Sequence, residues 1–258
     1  MDQSDKSSWS YVDTHCHCDL YPNPLELIRQ INDKNIYTLA MTNTPSVFSM
    51  TTSMLPKNGT IRPAIGLHPQ LSAERKSEMS IFKKEIESTK YVGEVGLDYS
   101  YEFRFTREIQ LSVFKEILKL CSESGGKIIS VHSRGAVKDI IEVIESVKNN
   151  NKIILHWFSG TKKQLFKAID IGCYFSINMA MVNSQKGQEI TTQIPRHRLL
   201  TESDGPFIQI DDHPASPLDI TKIIKKLSEL YRLNWEDLGQ LVWNNFKKIL
   251  QQQNNLKK

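Results

Sequence analysis

Eight short apolar runs, separated by stretches that read as helix or connection, constrain the fold of this chain more than any other feature. They fall at 11–13, 36–41, 61–67, 91–95, 127–131, 152–155, 173–177 and 198–201. Most are nearly continuous in aliphatic and aromatic residues, as strands buried on both faces are. Helical periodicity occupies 24–33, 106–122, 137–147, 162–171, 217–230 and 235–251. The clearest case is 106–122, where Ile109, Val113, Phe114, Ile117, Leu118 and Cys121 share one face. Strands alternating with helices predict a parallel sheet. Eight such units in 258 residues fit a closed (β/α)₈ TIM-type barrel better than an open doubly wound sheet. With no composition shift to mark a boundary, residues 1–258 are expected to form one domain, flexible at 1–9 and 252–258.

The bulk numbers exclude more than they identify. A net charge of +4 tolerates a polyanionic substrate without demanding one. Lys and Arg are spread along the chain, so no basic stripe marks a duplex groove. No apolar run approaches the roughly 20 residues of a membrane helix. The first ten residues carry Asp2, Asp5 and Lys6 and no apolar stretch, so no signal peptide is expected. Four cysteines without a CxxC pair suit a reduced, cytoplasmic setting. Cys16 and Cys18 alternate with His15 and His17 along a strand, and are expected to face away from them and pack.

In a barrel of this kind the chemistry sits at the C-terminal ends of the strands. His15 and His17 follow the first run, His68 the third, His132 the fifth and His156 the sixth. Glu94 lies near the end of the fourth, with Asp98 beyond it, and Asp204 follows the eighth. Only His197 and His213 of the seven histidines lie elsewhere. Each residue alone has a plain structural reading: a hydrogen-bonded rim histidine, a buried ion-pair partner, a turn-forming aspartate. Together they would form a buried polar cluster poorly satisfied without a cation. Imidazole with carboxylate suits zinc, manganese and related ions. Histidines at i and i+2 can reach one ion, and Glu94 can bridge two.

At these residues the chain resembles the TatD family of metal-dependent deoxyribonucleases, within the amidohydrolase-like barrels. The matching segments are Val12-Asp13-Thr14-His15-Cys16-His17, Gly66-Leu67-His68-Pro69, Gly93-Glu94-Val95-Gly96-Leu97-Asp98, Val131-His132-Ser133-Arg134, His156-Trp157-Phe158-Ser159-Gly160 and Leu200-Thr201-Glu202-Ser203-Asp204-Gly205-Pro206. Asn244 and Phe246 loosely match a closing motif of the family. The resemblance implies two divalent ions (Mg²⁺, Mn²⁺ or Zn²⁺), one held by His15, His17, Glu94 and Asp204, the other by Glu94, His132 and His156. It implies that His68 and Asp98 line the site without being firm ligands, and that Ser133 and Arg134 sit beside the phosphate. Asp204 would orient or deprotonate the attacking water. The implied activity is hydrolysis of DNA, as a 3′–5′ exonuclease on single strands.

The final motif departs from the family around Asp204, but the aspartate is kept. Trp157 stands where the family often has Cys; it is expected to pack inward, with stacking on a base as the alternative. Tyr21, Tyr99 and Tyr101 are expected to be ordinary rim residues. The runs His17-Cys18-Asp19-Leu20-Tyr21-Pro22 and Leu155-His156-Trp157-Phe158 look like the TatD-like component of Qat antiphage defence systems, which implies partner defence proteins. Two other functions fit the same scaffold. One is hydrolysis of another ester or amide, such as misacylated tRNA. The other is a partner-dependent subunit of a defence complex.

Overall fold

The computed structural model describes residues 11–147 and 150–255. Eight parallel strands stand in sequence order: β1 (Val12–Cys16), β2 (Tyr37–Met41), β3 (Ile61–Ile65), β4 (Tyr91–Gly96), β5 (Ile128–His132), β6 (Lys152–His156), β7 (Tyr174–Ile177) and β8 (Leu199–Thr201). Helices lie between them: α1 (Pro24–Asp33), α2 (Phe48–Met54), α3 (Ser72–Arg75), α4 (Met79–Glu85), α5 (Arg107–Glu123), α6 (Val137–Ser146), α7 (Lys162–Asp170), α8 (Met179–Asn183) and α9 (Gln185–Thr191). α10 (Ile220–Tyr231) and α11 (Trp235–Asn255) complete the (β/α)₈ arrangement that the alternation predicts.

The differences from the sequence reading have local causes. β1 runs three residues past its apolar run, because buried Thr14 and His15 continue the strand while breaking its apolar pattern. α2, α3, α4, α8 and α9 have seven residues or fewer, too short to show helical periodicity. A two-stranded hairpin, β9 (Gln209–Ile210) with β10 (His213–Pro214), follows the eighth strand. On α5 the predicted face is buried except at Ile109, which is 37% exposed. α11 continues to Asn255, so part of the tail expected to be flexible is helical; residues 1–9 and 256–258 lie outside the described residues.

Where expected caps form, the chemistry is simple. Pro24 sits in the first turn of α1, and the Asn23 side chain accepts from the Glu26 N–H. Thr161 and Gln164 form a reciprocal capping box on α7. Cys16, the last residue of β1, and Cys18 pack with Leu27, Ile28 and Ile31 of α1. All four cysteines are buried free thiols. Among the described residues no helix is long and apolar enough to cross a membrane.

Side chains stitch the seam between β8 and β1. Thr201 Oγ1 donates to the Val12 carbonyl at 2.5 Å, and Thr14 Oγ1 donates to the Thr201 carbonyl at 3.1 Å. Just beyond, the Ser203 N–H donates to Asp13 Oδ1 at 3.1 Å and the Asp204 N–H to the His15 carbonyl at 2.9 Å. These bonds set Asp204 beside His15. On the outside, buried Asn245 of α11 donates to the carbonyls of Arg196 and Leu199 at 2.7 and 2.8 Å. It is this residue, not the exposed Asn244 singled out from the sequence, that ties the last helix to β8 beside buried Phe246.

Candidate metal centre

The strand ends converge on Glu94. It lies near the end of β4 and is 3% exposed. Gly96, two residues on, has φ of 137° and pairs with His132; a Cβ there would collide with the His132 carbonyl. This close approach brings the ends of β4 and β5 together.

The two carboxylate oxygens of Glu94 face different groups. Oε2 lies 3.2 Å from His17 Nε2 and 3.5 Å from His15 Nε2, and those two nitrogens are 3.2 Å apart. Asp204 Oδ1 stands 3.8 Å from His15 Nε2. Oε1 lies 2.6 Å from His132 Nδ1, 3.0 Å from His156 Nε2 and 3.3 Å from His68 Nε2. The expected ligands His15, His17, Glu94, His132, His156 and Asp204 are thus brought together. His68, read from sequence as a lining residue, approaches Glu94 as closely as the expected ligands do.

This donor set fits cations. One carboxylate cannot satisfy five imidazoles, and the two Nε2 atoms of His15 and His17 point at each other. Ligands 2.0–2.1 Å from a tetrahedral ion stand roughly 3.3 Å apart, close to the spacing of His15, His17 and Glu94. His15, His17 and Glu94 form one group able to hold an ion, and His68, Glu94 and His132 another. His17 Nδ1 and Ser133 Oγ are buried without a hydrogen-bond partner.

A surrounding layer aims the rings. Ser130 Oγ bonds His15 Nδ1 at 2.7 Å, leaving Nε2 for the centre. The His15 and His156 rings stack at 3.9 Å. Asp98 is fully buried and bonds His132 Nε2 at 2.9 Å, while Gln70 Nε2 donates to it at 2.8 Å. Expected to line the site, it stands behind His132 as that imidazole's hydrogen-bond partner.

Glu202 escaped the sequence reading. It is fully buried, accepts from Asn178 Nδ2 at 2.9 Å, from Ser176 Oγ and from the Trp157 N–H at 3.1 Å, and faces His156 Nδ1 at 3.6 Å. The signal was available: Glu202 and Asp204 are spaced i, i+2, as His15 and His17 are.

Burial and neighbouring charge set the protonation states. Burial, helped by the His156 charge, holds His15 well below the usual imidazole range, so its lone pair is free. Burial would raise Glu94, but the charges of His68 and His156 and the His132 hydrogen bond hold it well below the usual range. Burial, reinforced by the carboxylates of Glu202 and Glu94, pushes Asp204 well above its usual range. For His132, burial is outweighed by hydrogen bonds to Asp98 and Glu94, and its proton affinity rises. His156 rises in the same way, as Glu94 and Glu202 outweigh burial.

Above the cluster opens a cavity of about 490 Å³. His68, Gln70, Ser133, Arg134, Trp157, Ser159 and Phe207 line it with Glu94, His132, His156 and Asp204. Ser133 and Arg134, expected beside the phosphate, border the same cavity as Glu94 and Asp204. Trp157 does not pack inward: it is 40% exposed, because a backbone φ of 41° turns it away from the strand. The rim tyrosines are mostly occupied. Tyr21 donates to the Ala215 carbonyl, Tyr99 donates to Asp139 at 2.8 Å, and Tyr101 lies exposed against the Arg104 guanidinium.

Comparison with known proteins gives the family. The family model described as TatD related DNase matches residues 12–251. An uncharacterized metal-dependent hydrolase of Buchnera aphidicola, BU355, is 29% identical, over 92% of this chain and 98% of its own length. The human deoxyribonuclease TATDN3 is 24% identical, over 92% of this chain and 93% of its own. The crystal structure of YJJV, a TatD homologue from Escherichia coli K12, superposes with a TM-score of 0.83 at 21% identity, covering 93% of this chain and 97% of that one.

Proposed function

The chain belongs to the TatD-related DNase family of metal-dependent hydrolases, and from that premise we propose that it is a two-metal nuclease that hydrolyses phosphodiester bonds in DNA. One observation carries the proposal: Glu94 divides its two oxygens between two groups of imidazoles. In this reading His15, His17, Glu94 and Asp204 hold one divalent ion. Glu94, His132 and His156 hold the second, with His68 in reach. Mg²⁺, Mn²⁺ and Zn²⁺ all suit such donors.

When bound, the ions supply Lewis acidity toward the phosphoryl group and acidify the attacking water. The protein's own groups do the rest. Asp204, set beside His15 at the end of β8, orients the water and accepts its proton. Arg134 offers a planar fork to the non-bridging oxygens, and buried Ser133 Oγ a further donor. Ser130, Asp98 and Glu202 keep the imidazoles aimed through the reaction.

The finer reading is 3′–5′ exonuclease action on single strands in the cytoplasm, within a Qat-type antiphage system with partner defence proteins. The resemblance of His17–Pro22 and Leu155–Phe158 supports the defence role, and the reduced thiols suit the compartment. End-labelled single-stranded DNA incubated with the purified protein and Mn²⁺ or Mg²⁺ tests the activity. The expected result is stepwise shortening from the 3′ end, lost in Glu94→Gln. Full activity of Glu94→Gln, or turnover of carboxylic esters far above that of phosphodiesters, would contradict it.

A further inference from the structure

Two large aromatic side chains line the cavity without belonging to the core. Trp157 is 40% and Phe207 59% exposed, yet both border the space that holds Glu94, His132, His156 and Asp204. Exposed apolar surface rimmed by polar groups marks binding sites. The backbone at Trp157 and the ring of Phe207 each have a fixed neighbour at the centre. The Trp157 N–H is bonded to buried Glu202, and its φ of 41° is one that bulky residues rarely adopt. Such a conformation persists where the surrounding structure enforces it, often at a ligand site. Phe207 packs edge-on against His17 at 5.1 Å and borders the cavity while more than half exposed.

We propose that Trp157 and Phe207 form a subsite for one unpaired nucleobase beside the scissile phosphodiester. This rests on the phosphodiester reading above and names the two side chains that hold a base of its substrate. With the phosphate fixed by the centre and Arg134, the nearest flat apolar group of the polymer is the adjacent base. Stacking on aromatic rings accepts any base. A paired base is already stacked on both faces and must leave the helix to enter. The subsite thus selects single strands and frayed ends, and it needs no basic groove.

Fluorescence anisotropy of two labelled octanucleotides in Ca²⁺ buffer tests this without turnover. One is oligothymidine; the other has abasic nucleotides throughout. The wild type should bind the oligothymidine roughly 5- to 100-fold tighter, as stacking of one base implies. Trp157→Ala with Phe207→Ala should erase the difference, and Trp157→Phe should keep most of it. Equal affinity of the wild type for both oligonucleotides overturns the proposal, whether or not the variants fold. So does a base preference that survives the double substitution in a folded protein. A base-dependent preference lost in the double variant, without phosphodiester cleavage, would sustain the subsite and sink the nuclease reading. Preference for an aromatic aminoacyl ester with equal binding of both oligonucleotides would assign the cavity to an acyl group and overturn it.

Discussion

Glu94 concentrates the chemistry of this protein in one side chain. Its oxygens lie 2.6 to 3.5 Å from five imidazoles, and a neutral amide in its place would remove the one negative charge they share. Glu202 acts at one remove, through His156. Glu202→Gln is expected to weaken divalent-ion affinity about 10- to 100-fold, the usual cost of losing an orienting carboxylate, while the folded structure survives. Calorimetric titration with Mn²⁺ measures this; unchanged affinity would remove Glu202 from the site. Proton linkage gives a second test. Hydrogen bonds and neighbouring charge raise the proton affinities of His132 and His156, and burial raises that of Asp204. Cations need neutral imidazole and ionised carboxylate. Uptake should therefore release protons, and apparent affinity should rise with pH. Titration heats that do not change between buffers of different ionisation enthalpy would contradict this. At this scale the sequence was most legible where a residue type announces its chemistry. His15, His17, Glu94, His132, His156 and Asp204 could be read from type and position. Asp98 could not be placed behind His132, nor Trp157 outside the core, because side-chain direction depends on local backbone that motifs do not encode.

Among the elements, the barrel seam and the last helix carry the most specific bonds. β8 has three residues, and hydroxyls bind it to β1. Thr201→Val keeps the shape and removes the bond to the Val12 carbonyl. It is expected to cost about 1 kcal/mol, read as a lower urea midpoint with unchanged slope. Asn245→Leu removes two hydrogen bonds at once, those to the carbonyls of Arg196 and Leu199. Its cost should be larger, about 2 kcal/mol or more, while Asn244→Leu at the exposed neighbouring position should cost little. Comparable losses at the two positions would refute the role given to Asn245. The contrast also shows what sequence patterns resolve. Periodicity found α1, α5, α6, α7, α10 and α11, whose apolar faces repeat over several turns. It missed the helices of one or two turns. It could not choose between adjacent asparagines, because a shift of one residue turns a helix by about a quarter of its circumference.

As a whole, the molecule brings residues nearly 190 positions apart into one buried cluster, as His15 and Asp204 show. Parallel strands joined by helices place every strand end on the same face. That is why widely spaced short motifs could be read together once eight units were recognised. The same burial makes the cation part of the stability. At a free ion concentration 100 times Kd, binding adds about 2.7 kcal/mol, which for a chain of this size is roughly 5–10 °C in Tm. Chelation with EDTA should lower Tm by that much and re-addition of Mn²⁺ restore it; no shift would mean that the cluster is satisfied without metal.

The central claim is that Glu94 bridges two ions. Anomalous diffraction from crystals grown with Mn²⁺ tests it most directly. The account predicts two peaks, one beside Glu94 Oε2, His15 and His17, the other beside Oε1, His132 and His156. A single peak, or two peaks that Glu94 does not join, would contradict it.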